Sequence, residues 1–299
     1  ILIVCSYTAA AFVNEPSLFF LTLLMAGLSV GPLEVAVNLE ADRVEYGLEQ
    51  RIINRSHAFW SLGFFATGLS GALMAQLGVP VVFHFAGFGF IIVALTIFSF
   101  LGFTQAPPRP SNNKGTPKFV RPSAAIMVLV GLTLSAMLAE GSAIEWSVIY
   151  MRDIFATVPL INGLALALTA FFQFITRYFA DHFVVQYGPH KVAKICLWIM
   201  LAGVILVAVA PAWPLALVGF ACLGAGSSVI FPLAMSAAAQ LKDRPAAVNV
   251  AALAQISFVV FLLAPPLLGV VAEYIGIRYA FATCLPLAVL SLFSLRSLS

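Results

Sequence analysis

Apolar residues run through this chain in unbroken stretches of membrane-helix length, separated by short polar or turn-forming segments. Crossing a hydrocarbon core takes about 20 mostly apolar helical residues. By that measure spans are expected at 1–13, 17–38, 56–77, 80–103, 123–148, 159–180, 192–211, 214–239, 247–271 and 278–296, ten in all, the first of them short. Turn chemistry marks the breaks at Asn14-Glu15-Pro16, Gly78-Val79-Pro80, Pro211-Ala212-Trp213-Pro214 and Gly276. The runs are too long for strands and show no alternation of period two. Gly63, Gly68, Gly71, Pro265 and Pro266 fall inside spans, where they suit close helix packing and kinks.

Composition sharpens the class. The 299 residues are 62% hydrophobic and 9% charged, with a mean hydropathy of +1.04. Soluble domains carry roughly 25% charged residues, so the chain is expected to be an all-α polytopic membrane protein embedded in a lipid bilayer. The net charge of +3 does not point to nucleic acid, and no nucleic-acid partner is expected. Cys5, Cys196, Cys222 and Cys284 lie inside apolar runs without C-x-x-C or Cys/His spacing, so they read as free, buried thiols. No metal pattern, Walker spacing or Gly-rich phosphate loop occurs, and no cofactor is expected. The chain opens at Ile1 inside an apolar run, with no basic leader or A-x-A site, and reads as one whose beginning is missing.

Part of the pattern repeats. A shift of 198 positions (269 − 71) carries Ala66, Leu69, Gly71, Gly78 and Phe83 onto Ala264, Leu267, Gly269, Gly276 and Phe281. Pro32-Leu33 and Pro232-Leu233 are related by 200 positions, Pro16 and Pro214 by 198. Self-similarity of this kind in an apolar chain predicts two helical bundles related by a parallel pseudo-repeat. The segment 104–122 is rich in Pro, Asn and Gly and carries Arg109, Lys114, Lys118 and Arg121, so it reads as a cytoplasmic linker. The expected domains are then 1–103, holding helices three to six of a six-helix half, and 123–299, a complete six-helix bundle. About ten of twelve helices would be present. With the linker inside, Arg43, Arg51, Arg55, the four linker residues, Arg177, Lys191, Lys194, Lys242, Arg244 and Arg296 all fall inside. Arg152 and Arg278 fall outside, a split of thirteen to two that obeys the positive-inside rule.

Ionisable groups within spans are costly and mark candidate function. Glu34 and Asn38 lie one turn apart near the cytoplasmic end of one helix, and His57 opens the next. They read either as a carboxylate–imidazole pair lining the solute or proton path, or as a solvated helix-end cluster. Glu140 is the deepest acid, with Glu145 about 140° further round the helix, so a break at Gly141 would be needed to aim both at one spot. Arg152 is the nearest basic residue along the chain, and a raised pKa would follow for Glu140 if no cation stood beside it. Glu145 and Trp146 read as path residues or, together with Tyr150, as an interface aromatic belt. Arg177 and Asp181, at i and i+4, can pair as a helix-end bridge or as a latch between bundles.

The segment RYFADHFVVQYGPHK, Arg177 to Lys191, is similar to the short cytoplasmic signature of the major facilitator superfamily. Asp181, Gly188 and Lys191 match that pattern, His182 stands for a basic residue, and Thr176-Arg177 occupies the place of a Gly. The stretches GPLEVAVNLEADRVE, SHAFWSLG and AEGSAIEWSVIYMRD resemble a bacterial branch that includes a rhizopine-cluster membrane protein. The resemblance implies a secondary active transporter of the bacterial inner membrane, moving a small solute by alternating access; the buried acids make protons a candidate coupling ion, and the ion itself stays open. It implies no enzyme and a monomer, a cavity lined by the spans at 17–38, 123–148 and 214–239, and a conformational latch at Arg177, Asp181, Gly188 and Lys191. The rival reading is a membrane scaffold or assembly subunit whose buried acids are structural.

Overall fold

The computed structural model describes residues 1–49, 52–107 and 121–298. Arg51, Arg109, Lys114 and Lys118, and with them the greater part of the expected linker, lie outside the described residues. Every regular element among the described residues is helical: α1 (Leu2–Ala10), α2 (Pro16–Leu48), α3 (Ile53–Gln76), α4 (Val81–Phe100), α5 (Ala124–Phe155), α6 (Pro159–Tyr187), α7 (Pro189–Val209), α8 (Trp213–Ser227), α9 (Ile230–Gln240), α10 (Ala246–Ile275), α11 (Ile277–Ala282) and α12 (Cys284–Ser294), closed by a 3-10 turn at Leu295–Leu298. Among these residues nine helical segments are long and apolar enough to cross a membrane, α8 with α9 and α11 with α12 counting as one each. The tenth expected span, at 1–13, is the nine-residue α1.

Three helices outrun the apolar pattern. α2, α5 and α6 continue to Leu48, Phe155 and Tyr187, beyond expected ends at 38, 148 and 180. The segment added to α2 contains Glu, Arg and Leu, which are good helix formers, and that added to α5 contains Arg152, whereas that added to α6 has no such residue except Gln186. The span expected at 214–239 is divided, with α8 ending at Ser227 and α9 starting at Ile230. Gly141 interrupts nothing, since α5 passes through it unbroken.

The chain separates into two compact units, Ile1–Ser56 with Leu73–Asn112, and His57–Ala72 with Asn113–Ser299. In the first, Val4 and Thr8 of α1 lie against Gly89 of α4, where there is no room for a side chain. Glu40 of α2 accepts the Ala106 amide at 2.7 Å and pairs with Arg43 at 3.3 Å. Glu45 accepts the Ile52 amide at 2.8 Å.

The second unit holds the larger buried core. Its helices meet through small residues, as lipid-embedded helices do when packing rather than hydrophobicity drives association. Gly203 of α7 faces the backbone of Gly219 and Leu223 on α8, and Gly226 faces Met200 and the Cys196 carbonyl. Gly224 lies on the Thr169 backbone of α6, where a Cβ would collide. Hydroxyl pairs add polar joints, Thr133 to Ser257 at 3.1 Å between α5 and α10, and Ser135 to Ser291 at 2.7 Å between α5 and α12. Tyr150 is fully buried, donates to the Val207 carbonyl and meets Phe155, Phe220 and Phe281 edge to face. It is a core residue and not part of a lipid-interface belt.

The α3 stretch of this unit runs antiparallel to α6. Phe59 meets Phe174, Phe65 meets Phe171, Gly68 meets Leu166 and Ala72 meets Gly163, numbers rising on one helix as they fall on the other.

Candidate functional site

A buried polar network joins α3, α5, α6 and the α8–α9 break. Its centre is Arg177, 8% exposed, on the face of α6 that also carries Gln173 one turn earlier. The Nη2 atom of Arg177 donates to Glu140 at 3.1 Å to Oε1 and 3.3 Å to Oε2. Nη1 donates to the Ser61 hydroxyl of α3 at 3.0 Å, and Nε donates to the Ser228 carbonyl at 3.1 Å. Ser61 in turn donates to Gln173 Oε1 at 3.0 Å.

Each partner has a local cause. Pro232 has no N–H, so the Ser228 carbonyl four residues earlier loses the helical hydrogen bond it would otherwise accept. The helix breaks at Ser228–Val229, and Arg177 Nε takes the freed carbonyl. Glu140 lies mid-way along α5, and α5 and α6 form a hairpin across Ala156–Val158. Glu140 is 16 positions before Ala156 (156 − 140) and Arg177 is 21 after it (177 − 156), so the long Arg177 side chain reaches about one helical turn back along the hairpin to meet the carboxylate. Ala156 adopts φ +49°, closing α5 with a left-handed residue whose amide donates to the Arg152 carbonyl.

The expectation of a Glu140 without a basic partner therefore fails. The guanidinium that neutralises it is 37 residues away in sequence and in direct contact in space. An arginine or a glutamate alone at this depth would cost at least about 2.5 kcal/mol on insertion scales, and pairing removes much of that.

The other candidates do not all converge here. Glu145 is exposed and turned away from Glu140, as the 100° step per residue requires on an unbroken helix. Trp146 lies against Gly269 of α10, its indole N–H buried without a hydrogen-bond partner. Glu34 is exposed on α2 of the first unit, with the Asn38 amide donating to its backbone carbonyl at 2.9 Å. His57 is half-buried at the start of the α3 stretch of the second unit, and Ser61 lies one turn beyond it, 3.5 Å from its carbonyl. Asp181 is half-buried on α6, while Gly188 turns the chain into α7 with φ +81°, a conformation open to glycine. Lys191 stands over the Tyr187 ring at 5.0 Å. Ser61 and Ser228 carry no signal of their own in the sequence. Pro232 does, since a proline inside an apolar run always frees one carbonyl.

A second polar cluster closes the opposite side of α5's first turn. Ser123 caps α5 by accepting the Ile126 amide, Arg244 donates to the Arg121 carbonyl at 2.6 Å, and Asn249 donates to Asp243 at 2.8 Å. Hydrogen bonds from Asn249 and Ser123 hold the Asp243 carboxyl below its ordinary value of 3.8, against a smaller opposing effect of desolvation.

Nine helices of bilayer length among the described residues define a polytopic membrane protein, and its second unit carries a buried charged pair. The chain belongs to the Major Facilitator Superfamily, which its residues 128–298 match. It is 28% identical to the uncharacterized transporter y4wD of Sinorhizobium fredii over 88% of this chain and 70% of that one. It is 23% identical to the membrane protein MosC of Rhizobium meliloti, over 91% of this chain and 66% of the relative. Among solved structures, the Escherichia coli fucose:proton symporter FucP superposes with a TM-score of 0.66 at 18% identity, covering 100% of this chain and 81% of FucP. The human organic anion transporter MFSD10 gives 0.61, also at 18%, covering 98% and 74%.

Proposed function

We propose that this chain moves a small solute across the bacterial inner membrane by alternating access, with proton uptake at Glu140 as the coupling step. The observation that carries this reading is the ion pair between Glu140 and Arg177, both about nine-tenths buried at the crossing of α5, α6, α3 and the α8–α9 break. Proton binding to Glu140 removes the charge that holds Arg177, which keeps its anchors on Ser228 and Ser61. The pair is thus a joint with two states, closed when Glu140 is ionised and released when it is neutral. α7, α11 and the closing 3-10 turn carry their charged groups, His190, Lys191, Lys194, Arg278 and Arg296, near helix ends. α8, α9 and α12 carry no Asp, Glu, His, Lys or Arg, and α10 has only Glu273 near its far end. α6 brings Arg177, Asp181 and His182, and α3 brings His57 beside Ser61. The latch expected at Arg177, Asp181, Gly188 and Lys191 then divides into an inner part, Arg177, and a surface part at the α6–α7 turn.

The test is flux in proteoliposomes containing the full chain. A pH gradient should drive solute accumulation by the wild type, and Glu140→Gln should abolish accumulation while leaving exchange of solute between the two sides. Accumulation by Glu140→Gln at the wild-type rate would remove the coupling role. A scaffold reading has one observation in its favour, that both carboxylate oxygens and all three guanidinium nitrogens are already engaged. It requires that no solute be moved by the wild type at all.

A further inference from the structure

Gln173 breaks the economy of the network around Arg177. It is 2% exposed, its Oε1 accepts from Ser61, and its Nε2 has no hydrogen-bond partner. Arg177 Nη1 can only donate, so Ser61 Oγ accepts from it, and of the two acceptors in reach of the Ser61 proton the Gln173 amide oxygen at 3.0 Å is nearer than the His57 carbonyl at 3.5 Å. The two N–H groups of Nε2 are left over, and buried amides in native proteins are paired unless something else completes them. Ser61 Oγ stands 3.0 Å from both Arg177 Nη1 and Gln173 Oε1, so the free amide and the guanidinium edge belong to one small site.

The pairing with Glu140 is also incomplete. A guanidinium holds a carboxylate best through two parallel N–H···O bonds from two nitrogens. Here a single nitrogen, Nη2, serves both oxygens, and Nη1 is spent on a neutral hydroxyl. Donors in excess, a positive charge and a makeshift carboxylate describe a place made for another carboxylate.

We propose that Arg177, Gln173 and Ser61 form the subsite for a carboxylate group of the transported solute, with Glu140 occupying the guanidinium when the solute is absent. This rests on the transport reading above. The solute carboxylate takes the fork of Arg177 and the Gln173 amide, and Glu140, displaced, takes up one proton so that the buried charge stays balanced. One proton therefore accompanies each carboxylate bound. Besides Arg177, the Asp, Glu, His, Lys and Arg residues on the neighbouring elements are Asp181 and His182 on α6, His57 on the α3 stretch of this unit, His190, Lys191 and Lys194 on α7, Glu273 on α10, Arg278 on α11 and Arg296 in the closing 3-10 turn.

The probes are acetate, lactate and benzoate, each set against its neutral amide at matched ionic strength, with thermal unfolding of the full chain in detergent as the readout. At least one carboxylate should raise the Tm of the wild type, increasingly as the pH falls, and its amide should not. Glu140→Gln should lower the Tm in chloride and regain it in the carboxylate, with the pH dependence gone. The charge-balanced double variant Glu140→Gln/Arg177→Gln should lose the response, and Gln173→Leu should weaken it. Absence of any carboxylate-specific stabilisation in both the wild type and Glu140→Gln overturns the subsite, as does its survival in the double variant. Flux separates this from the wider reading. A neutral solute accumulated by the wild type leaves transport standing and sinks the carboxylate subsite, whereas a carboxylate that binds but never crosses proteoliposomes keeps the subsite and sinks transport.

Discussion

At the scale of single residues, the charge at Glu140 decides the energetics of the interior. Removing one member of a buried ion pair leaves the other uncompensated and costs about 3–5 kcal/mol, while replacing both is far milder. Glu140→Gln should therefore lower the thermal stability more than Glu140→Gln/Arg177→Gln does, and equal losses would show that the pair is not coupled. The depth of Glu140 was legible from the apolar run around it, but its partner was not. Arg177 lies near a charged loop in sequence, where pairing with Asp181 suggested itself, and only the α5–α6 hairpin register brings it to Glu140. Asp243 behaves differently because it is in water. Its carboxyl is held below 3.8 by Asn249, so the contact contributes stability above that value and loses it as the pH falls through the lowered one. Pepsin cleavage at 241–245 should accelerate only at the acid end of that range, and Asn249→Leu, which removes the largest of the contacts, should weaken the pH dependence.

At the scale of elements, the division of one span into α8 and α9 is what places a backbone carbonyl beneath Arg177. Pro232→Ala returns an N–H able to reach the Ser228 carbonyl, in competition with Arg177 Nε. The variant should join the two helices, slow amide exchange at 228–232 and reduce the rate of transport. Unchanged exchange there would mean that the break is held by the Ser227-Ser228 packing instead. Helix existence was read from hydropathy alone, because each span must satisfy its own backbone in lipid. Helix ends were misplaced wherever a helix leaves the bilayer as a helix, as α2, α5 and α6 do, since hydropathy marks the membrane boundary and not the hydrogen-bond ladder. Gly224 could be named from sequence only as a small residue. The Thr169 backbone that it touches makes Gly224→Leu a disruptive change, expected to abolish folded protein in detergent, whereas Gly27→Leu, with open space around it, should be tolerated.

At the scale of the whole molecule, orientation in the membrane is the property that the charge pattern states most directly. From residue 121 onward the second unit crosses six times, in α5, α6, α7, α8–α9, α10 and α11–α12, so the chain end returns to the side of the linker. Contacts within the unit bear on the same assignment. Arg244 bonds the Arg121 carbonyl, putting the 241–245 loop beside the start of α5, together with Lys242. At the other end Arg278 donates to the Ala210 carbonyl at 2.8 Å and stacks on Phe155 at 5.6 Å, gathering the ends of α5 and α7 with the start of α11. Lysine and arginine favour the cytoplasmic side of short loops, and with Arg177 set aside as buried, twelve of the remaining fourteen fall on the linker side under the charge pattern. We therefore expect the linker and the chain end inside. In a background lacking Cys5, Cys196, Cys222 and Cys284, a membrane-impermeant thiol reagent applied to intact cells should label Tyr274→Cys, which is 82% exposed beside the α10–α11 turn. It should leave Lys242→Cys untouched until the membrane is opened. Labelling of Lys242→Cys in intact cells, with Tyr274→Cys protected, would invert the molecule.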